Sequence, residues 1–206
     1  MAKLSLYLLL LFSSLLIIST ISQSTTDPDP TAATNFIASS CQATLYPTQC
    51  IQCLSGYATT IQTSPKKLAQ AALSVSLDRI QSTSDYISTM TSVSGLPPRE
   101  YQAVKDCATT MRDSASQVKK SVHELDQISG QADEVSMMHA SNVQTWVSAA
   151  LTNENTCVDG FSSQDMNGDV KDGITSRVLD ATQVTSNALA LVNQFVAQHK
   201  APAKGN

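Results

Sequence analysis

The chain has 206 residues, with 13 basic and 17 acidic side chains and a formal net charge of −4. This balance argues against general nucleic-acid binding, because neutralising a phosphate backbone requires clustered Lys and Arg side chains, and it permits attraction to a basic partner. With only four Phe, five Tyr and one Trp, the core must be built mainly from small aliphatic side chains, which suits closely packed helices.

The first 24 residues have the features of a secretory signal peptide. Lys3 supplies a basic start, residues 6–18 are mostly apolar, and Ser22-Gln-Ser24 offers small residues for cleavage. The apolar run is shorter than the ~20 residues that a membrane-spanning helix needs. We therefore expect a secreted, extracellular protein with no membrane segment in its mature form. Cleavage of the signal peptide would remove Lys3 and leave 12 basic and 17 acidic residues, a formal charge of −5.

The mature chain is predicted to form one domain between two short flanking segments. Residues 25–32, which include Asp27-Pro-Asp-Pro30, are assigned to a flexible mature N-terminus. Residues 33–200 form the domain, and residues 201–206 form a C-terminal tail. A mature chain of about 180 residues suits a single hydrophobic core.

Hydrophobic periodicity in the domain is helical. Short helices are predicted at residues 34–40 and 50–63, joined by a turn at Tyr46-Pro47. Longer amphipathic helices follow over four ranges: 65–91, 98–128, 133–152 and 169–198. Short connections between such helices indicate an all-α fold, an up-down-up-down four-helix bundle preceded by a short N-terminal helical hairpin.

Each long helix carries an apolar stripe at steps of three and four residues, which predicts its inward face. The inward positions predicted for the helix over 65–91 are Ala69, Leu73, Ser76, Ile80, Thr83, Ile87 and Met90. Those predicted for the helix over 98–128 are Tyr101, Val104, Ala108, Met111, Ala115, Val118, Val122 and Leu125. These residues predict the fold and by themselves indicate no activity.

Five cysteines in a secreted chain predict two disulfides and one remaining thiol. Cys41 and Cys50 form a favoured pair because both lie near the predicted helical hairpin, but the spacing alone leaves the pairing open. The alternative is a zinc site. Cys50-x2-Cys53 is a half-site without a matching second half, so we expect no metal.

No catalytic motif accompanies the cysteines. The sequence has no Gly-x-Ser-x-Gly, no phosphate-binding glycine loop and no His-Glu-x-x-His. His123, His139 and His199 are scattered and are interpreted as solvated or edge side chains. The stretch from Asp165 to Asp169 resembles the start of a calcium loop but lacks its later glycine and glutamate, so it is interpreted as a polar turn. We expect no cofactor and no enzymatic activity.

Three segments together carry a family resemblance. They are Cys41-x8-Cys50, Lys105-Asp-Cys107, and the run Thr-Trp-Val-Ser-Ala-Ala-Leu-Thr-Asn-Glu-Asn-Thr-Cys-Val-Asp-Gly-Phe over residues 145–161. From about residue 33 to 198 the chain resembles the plant invertase and pectin methylesterase inhibitor family. The resemblance implies the same bundle and hairpin, disulfides Cys41–Cys50 and Cys107–Cys157, and a free thiol at Cys53.

The family has two branches, which differ just before the second long helix. Invertase inhibitors carry a Pro-Lys-Phe motif there, and the matching segment here is Pro98-Arg99-Glu100, which keeps the charge but lacks the Phe. The continuation Tyr-x-Ala-Val-Lys-Asp-Cys from Tyr101 resembles the pectin methylesterase branch. Favourable helix initiation by Pro98 and Glu100 is the alternative explanation.

Family positions that contact the enzyme match five residues of this chain: Thr109, Asp113, Ser116, Thr156 and Asp159. Asp113 keeps the family's acid on the second long helix, whereas Thr109 and Ser116 depart from it. Thr156 and Asp159 match Thr-Cys-x-Asp-Gly-Phe, and helix capping or turn formation is their alternative role.

The resemblance implies a secreted, apoplastic inhibitor that forms a non-covalent one-to-one complex with pectin methylesterase and blocks its pectin-binding cleft. Inhibition of acid invertase is the second hypothesis, favoured by Pro98-Arg99. A third is a pectin methylesterase pro-region acting as an intramolecular chaperone, and a fourth is a structural wall protein without inhibitory activity.

Overall fold

The structure is a computed structural model that describes residues 30–130, 132–163, 166 and 168–200. The predicted signal peptide and C-terminal tail lie outside the described residues, as do residues 25–29 of the N-terminal segment and Asp165 and Asn167 of the polar turn. No strand occurs in these described ranges. None of their helices combines the length and hydropathy needed to span a bilayer.

The helices follow in chain order, with one short 3-10 turn at Ser55–Tyr57. The short ones are α1 (Pro30–Cys41), α2 (Pro47–Leu54) and α3 (Ala58–Ile61). The long ones are α4 (Pro65–Met90), α5 (Pro98–Gln127), α6 (Glu134–Asp159) and α7 (Asp169–Lys200). The predicted all-α bundle with a preceding hairpin is confirmed.

Local chemistry explains where the long helices begin. Ser64 caps α4 by accepting a hydrogen bond from the backbone N–H of Lys67 at 3.3 Å, and Pro65 follows at the first helical position. Asp133 caps α6 by accepting from the backbone N–H of Ser136 at 2.7 Å. That hydrogen bond is the main reason why the pKa of Asp133 is lowered.

The long helices close a core of small side chains, with α4 and α5, α5 and α6, α6 and α7, and α4 and α7 as packing pairs. All the predicted inward residues of α4 are buried except Met90, which is half-buried. In α5 the prediction is wrong at Tyr101, which is 40% exposed, and Ala115 and Val122 are only half-buried. The buried face of α5 turns toward α6, so Cys107, Ser114 and Ser121 occupy the interior instead.

The hairpin of α1 and α2 is held by the Cys41–Cys50 disulfide, with 5.6 Å between the Cα atoms. It docks on α7 because the backbone N–H and carbonyl of Tyr46 pair with the side-chain amide of Asn187 at 3.1 and 3.0 Å. The continuous helix predicted over 50–63 is wrong, because the chain turns at Ser55-Gly56 and ends α3 before Gln62, whose φ is +53°.

Candidate interaction surface at the Cys107–Cys157 disulfide

The Cys107–Cys157 disulfide joins α5 to the last turn of α6, with 4.4 Å between the Cα atoms. Both cysteines are buried. The two helices run antiparallel, since Ser114 contacts Glu154 and, further along, Glu124 contacts His139. The bond therefore fixes one end of the α5–α6 pair. We call the exposed part of α5 and α6 around it, which carries Thr109, Asp113, Ser116, Thr156 and Asp159, the disulfide surface.

The predicted contact residues on α5 are all exposed. Thr109, Asp113 and Ser116 follow at steps of four and three residues, so they share the outer face of the helix. The hydroxyl of Thr109 donates to the carbonyl of Lys105 at 3.2 Å and accepts from the Arg112 guanidinium at 3.3 Å. Asp113 forms no ion pair or side-chain hydrogen bond with a described residue, which leaves its carboxylate available to a partner.

Thr156 and Asp159 belong to α6 and not to a turn after it. The sequence predicts a helix that ends near Thr152, whereas α6 continues to Asp159 because Glu154 and Cys157 are buried against the neighbouring helices. The Thr156 hydroxyl donates to the carbonyl of Thr152 at 2.8 Å, and the Thr156 carbonyl accepts from Gly160 at 3.1 Å. Both predicted contact side chains are exposed.

The helical rise places the two acids of the disulfide surface apart. Asp113 lies six residues beyond Cys107, about 9 Å along α5 toward the middle of the bundle. Asp159 lies two residues beyond Cys157, about 3 Å in the opposite direction. Their separation along the axis is therefore about 12 Å, which suits an extended contact area and not a single paired site.

A groove of about 240 Å³ runs beside the disulfide between α5 and α6. Thr156 lines this groove, whereas the other four predicted contact residues do not. Three further polar side chains line the groove and were not predicted from the sequence: Gln102, Asp106 and Thr110. Their four-residue spacing places them on the side of α5 that faces α6, and that spacing is the signal that could have identified them.

The groove is bordered by charges of both signs. Arg99 lines it and donates to the hydroxyl of Ser163 at 3.5 Å, and the Gln102 amide donates to Asp106 at 2.8 Å. Asp113 and Asp159, elsewhere on the disulfide surface, are two further exposed acids. The surface can therefore offer carboxylates to cationic groups of a partner, with short hydroxyl side chains between them.

The histidines of the chain lie away from this surface. His139 Nδ1 and Glu124 Oε1 share one hydrogen bond at 2.8 Å. Hydrogen bonds that Asn142 and His139 donate lower the pKa of Glu124. In the part of the chain that the structure describes, no three His, Cys, Asp or Glu side chains are grouped to hold a metal.

These features define a helical bundle that is braced by disulfides and that carries exposed acids and hydroxyl groups on the disulfide surface. The chain belongs to the plant invertase/pectin methylesterase inhibitor family, whose model matches residues 35–191. The resemblance that the sequence motifs carried is thereby confirmed.

Relatives of known name agree with this assignment. The chain is 44% identical to "Pectinesterase inhibitor 11" of Arabidopsis thaliana over 97% of its own length and 100% of that protein. It is 46% identical to "Pectinesterase inhibitor 9" of the same plant, over 88% of this chain and 90% of that one. A crystal structure of a mutant pectin methylesterase inhibitor from Arabidopsis superposes with a TM-score of 0.59 at 18% identity, covering 74% of this chain and 92% of that one, which shows the shared fold.

Proposed function

We propose that this protein inhibits pectin methylesterase by forming a non-covalent one-to-one complex that covers the pectin-binding cleft. Family membership and the names of the relatives support this function. Blocking a cleft requires a rigid surface of sufficient area and no reacting group. A specific interface buries on the order of 1,600 Å² in total, about half of it on each partner.

The main structural support for the proposal is the disulfide surface, which is rigid and exposed. Cys107–Cys157 fixes α5 against α6 before binding, so the complex loses less conformational entropy when it forms. Thr109 and Thr156 already bond to their own helix, so these side chains lose little freedom against a partner. Asp113 and Asp159 are exposed acids. An enzyme that binds an acidic polymer is expected to carry complementary positive charge near its cleft.

Inhibition of acid invertase is the second candidate, because Arg99 is exposed after Pro98 at the beginning of α5. Arg99 keeps the charge of the Pro-Lys-Phe motif. The third position of that motif is Glu100, which is buried, with 6% of its surface exposed. A partner could therefore reach Arg99 but not Glu100, which stands where the motif has Phe. This difference from the invertase motif favours pectin methylesterase as the target.

Secretion to the cell wall belongs to the same proposal. Its support is the signal-peptide pattern of residues 1–24, and it places the inhibitor where pectin is modified. Expression in plant cells with recovery from the apoplastic fluid tests it. The recovered protein should begin near residue 25, and retention of the intact N-terminus inside the cell would contradict it.

The proposed function is tested by mixing the purified mature protein with a plant pectin methylesterase and, separately, with an acid invertase. Inhibition of several pectin methylesterases between pH 5 and 7 is expected. Inhibition of invertase alone would establish the second candidate, and inhibition of neither would favour a pro-region-like or structural homologue. Replacing Asp113 and Asp159 of the disulfide surface by Lys should weaken the inhibition. Asp78→Lys is the matched control, since Asp78 is an exposed acid on α4, outside the disulfide surface.

A further inference from the structure

Four polar side chains, one from each long helix, meet in the middle of the bundle. They are Ser76 of α4, Ser114 of α5, Glu154 of α6 and Thr185 of α7, and each is 0% exposed. The Ser114 hydroxyl donates to Oε1 of Glu154 at 2.7 Å. Thr185 Oγ1 lies 3.1 Å from the same carboxyl oxygen and 2.9 Å from Ser76 Oγ. The carboxyl group thus links all four helices of the bundle.

A count of protons shows which hydrogen bonds each form of Glu154 allows. Thr185 Oγ1 also lies 3.0 Å from the carbonyl of Ala181. The hydroxyl has one proton and two lone pairs, so if it donates to Ala181 it must accept from both Ser76 and Glu154. Glu154 can donate only when it is protonated. An ionised carboxylate could only accept the Thr185 proton, and the Thr185 hydroxyl would then no longer donate to Ala181.

No opposite charge compensates an ionised carboxylate at this point. The groups that face Glu154 from the neighbouring helices are the hydroxyls of Ser76, Ser114, Thr182 and Thr185. Oε2 of Glu154 is buried and has no hydrogen-bond partner among the described residues. A buried charge without a partner is strongly unfavourable.

Charged residues near these hydroxyls in sequence lie at the protein surface. On α4 and α7, Arg79 pairs with Asp180, and both are substantially exposed. On α5, Arg112 and Asp113 are exposed. No cation and no second acid of the described chain faces Glu154, so the proton itself is the means of neutralising it.

We propose that the Glu154 cluster is a proton-dependent lock on the bundle: the folded protein holds one buried proton on Glu154 and is destabilised when that proton is lost. This inference concerns the fold and stands whether or not the protein inhibits pectin methylesterase. The folded bundle would therefore be most stable in an acidic compartment and less stable in a neutral or alkaline one.

The direction of the effect follows from the carboxyl group's environment. Burial raises the pKa of Glu154 from 4.5 to about 7, and the neighbouring hydroxyl groups of Ser114, Thr185 and Thr182 oppose this rise only in part. Because the folded state holds the proton more tightly than the unfolded chain, the stabilisation is fully present below pH 4.5. It is lost as the pH rises through about 7. A shift of this size changes the unfolding equilibrium constant by roughly 300-fold.

Urea unfolding of the disulfide-intact mature protein between pH 4.5 and 8.5 tests the lock, with Glu154→Gln as the variant. The Gln amide has nearly the same shape and stays neutral across the whole pH range. We expect the ratio of the wild-type unfolding constant to that of the variant to rise roughly 150-fold across this range, because the variant lacks the Glu154 proton. Glu134→Gln, at an exposed position of the same helix, should keep the wild-type dependence. Parallel curves for wild type and Glu154→Gln would overturn the proposal.

A second measurement keeps the proposal testable if Glu154→Gln fails to fold. The side-chain carboxyl carbons of glutamate are labelled with ¹³C in the wild-type protein and followed by NMR from pH 4 to 8. One glutamate signal should retain the position of a protonated carboxyl above pH 6. Titration of every glutamate signal near pH 4.5 would overturn the proposal.

Discussion

Removing the Cys107–Cys157 disulfide should destabilise the protein more than removing Cys41–Cys50. The perturbation is replacement of both cysteines of a pair by Ala, which leaves a small apolar side chain at each buried site. The first bond closes a loop with a sequence separation of 50 residues, the second a loop of 9. The loop-closure model gives about 4 kcal/mol for the longer loop and about 2.6 kcal/mol for the shorter one.

The free energy of unfolding is measured by urea titration under non-reducing conditions. Trp146 is the chain's one tryptophan and is half-buried on α6, with the Lys120 ammonium 5.9 Å from its ring centroid. Its fluorescence reports on the α5–α6 pair, and far-ultraviolet circular dichroism reports on all the helices. Coincident transitions and an unchanged slope with denaturant would justify a two-state treatment.

A reversed order would contradict this prediction: the Cys41–Cys50 replacement would then lower the free energy of unfolding clearly more than the Cys107–Cys157 replacement. It would mean that the docking of the hairpin in the folded protein contributes more to stability than the closure of the long loop in the unfolded chain. An unchanged stability in the Cys107→Ala/Cys157→Ala protein would likewise contradict the role assigned to the bond.

Three further predictions concern other sites. Asp113→Lys combined with Asp159→Lys should weaken binding to pectin methylesterase by ~1–3 kcal/mol in calorimetric titration, because two exposed acids would become repulsive to a basic surface. Gly173→Ala should reduce stability, because the new Cβ would lie 2.4 Å from the Tyr86 hydroxyl. In a Tyr86→Phe background the nearest ring atom would be 3.5 Å away, and the same change should stabilise by up to ~1 kcal/mol through helix propensity. Glu124→Gln should lessen the loss of stability below about pH 4.5, since the lowered pKa of Glu124 makes its contribution disappear on acidification.

Each of these predictions has a clear contrary result. Full affinity of the double charge-reversal protein, with unchanged melting, would show that the disulfide surface is not the interface. Equal effects of Gly173→Ala with and without the Tyr86 hydroxyl would exclude the steric explanation. Identical acid unfolding of Glu124→Gln and wild type would show that the hydrogen bonds from Asn142 and His139 do not stabilise the carboxylate.

The fold could be predicted from the sequence because its long helices carry regular apolar stripes. The α4 stripe from Ala69 to Ile87 is buried throughout. Periodicity does not specify which neighbour a helix faces, so the rotation of α5 toward α6 and the exposure of Tyr101 could not be derived from it. The length of α6 was underestimated because local propensity near Asn153 and Asn155 is weak, and tertiary burial of Glu154 and Cys157 overrides it.

The candidate site was predictable only in part. The family motif drew attention to Asp113, Thr156 and Asp159, and all three are exposed in the structure. Spacing could not show that Thr156 lines a groove and Asp113 does not, since that depends on how α5 and α6 meet. The Glu154 cluster also escaped sequence reasoning, because a charged residue two positions before Thr156 has the ordinary pattern of a solvated helix face.

Titration of a fixed amount of pectin methylesterase with the mature protein, with residual acid release from pectin measured at pH 5 to 7, tests the central claim most directly. We expect the activity to fall linearly and to level off at one inhibitor per enzyme, as for a tight non-covalent complex. Undiminished activity at a tenfold excess of the protein, with several isoforms of the enzyme, would contradict it.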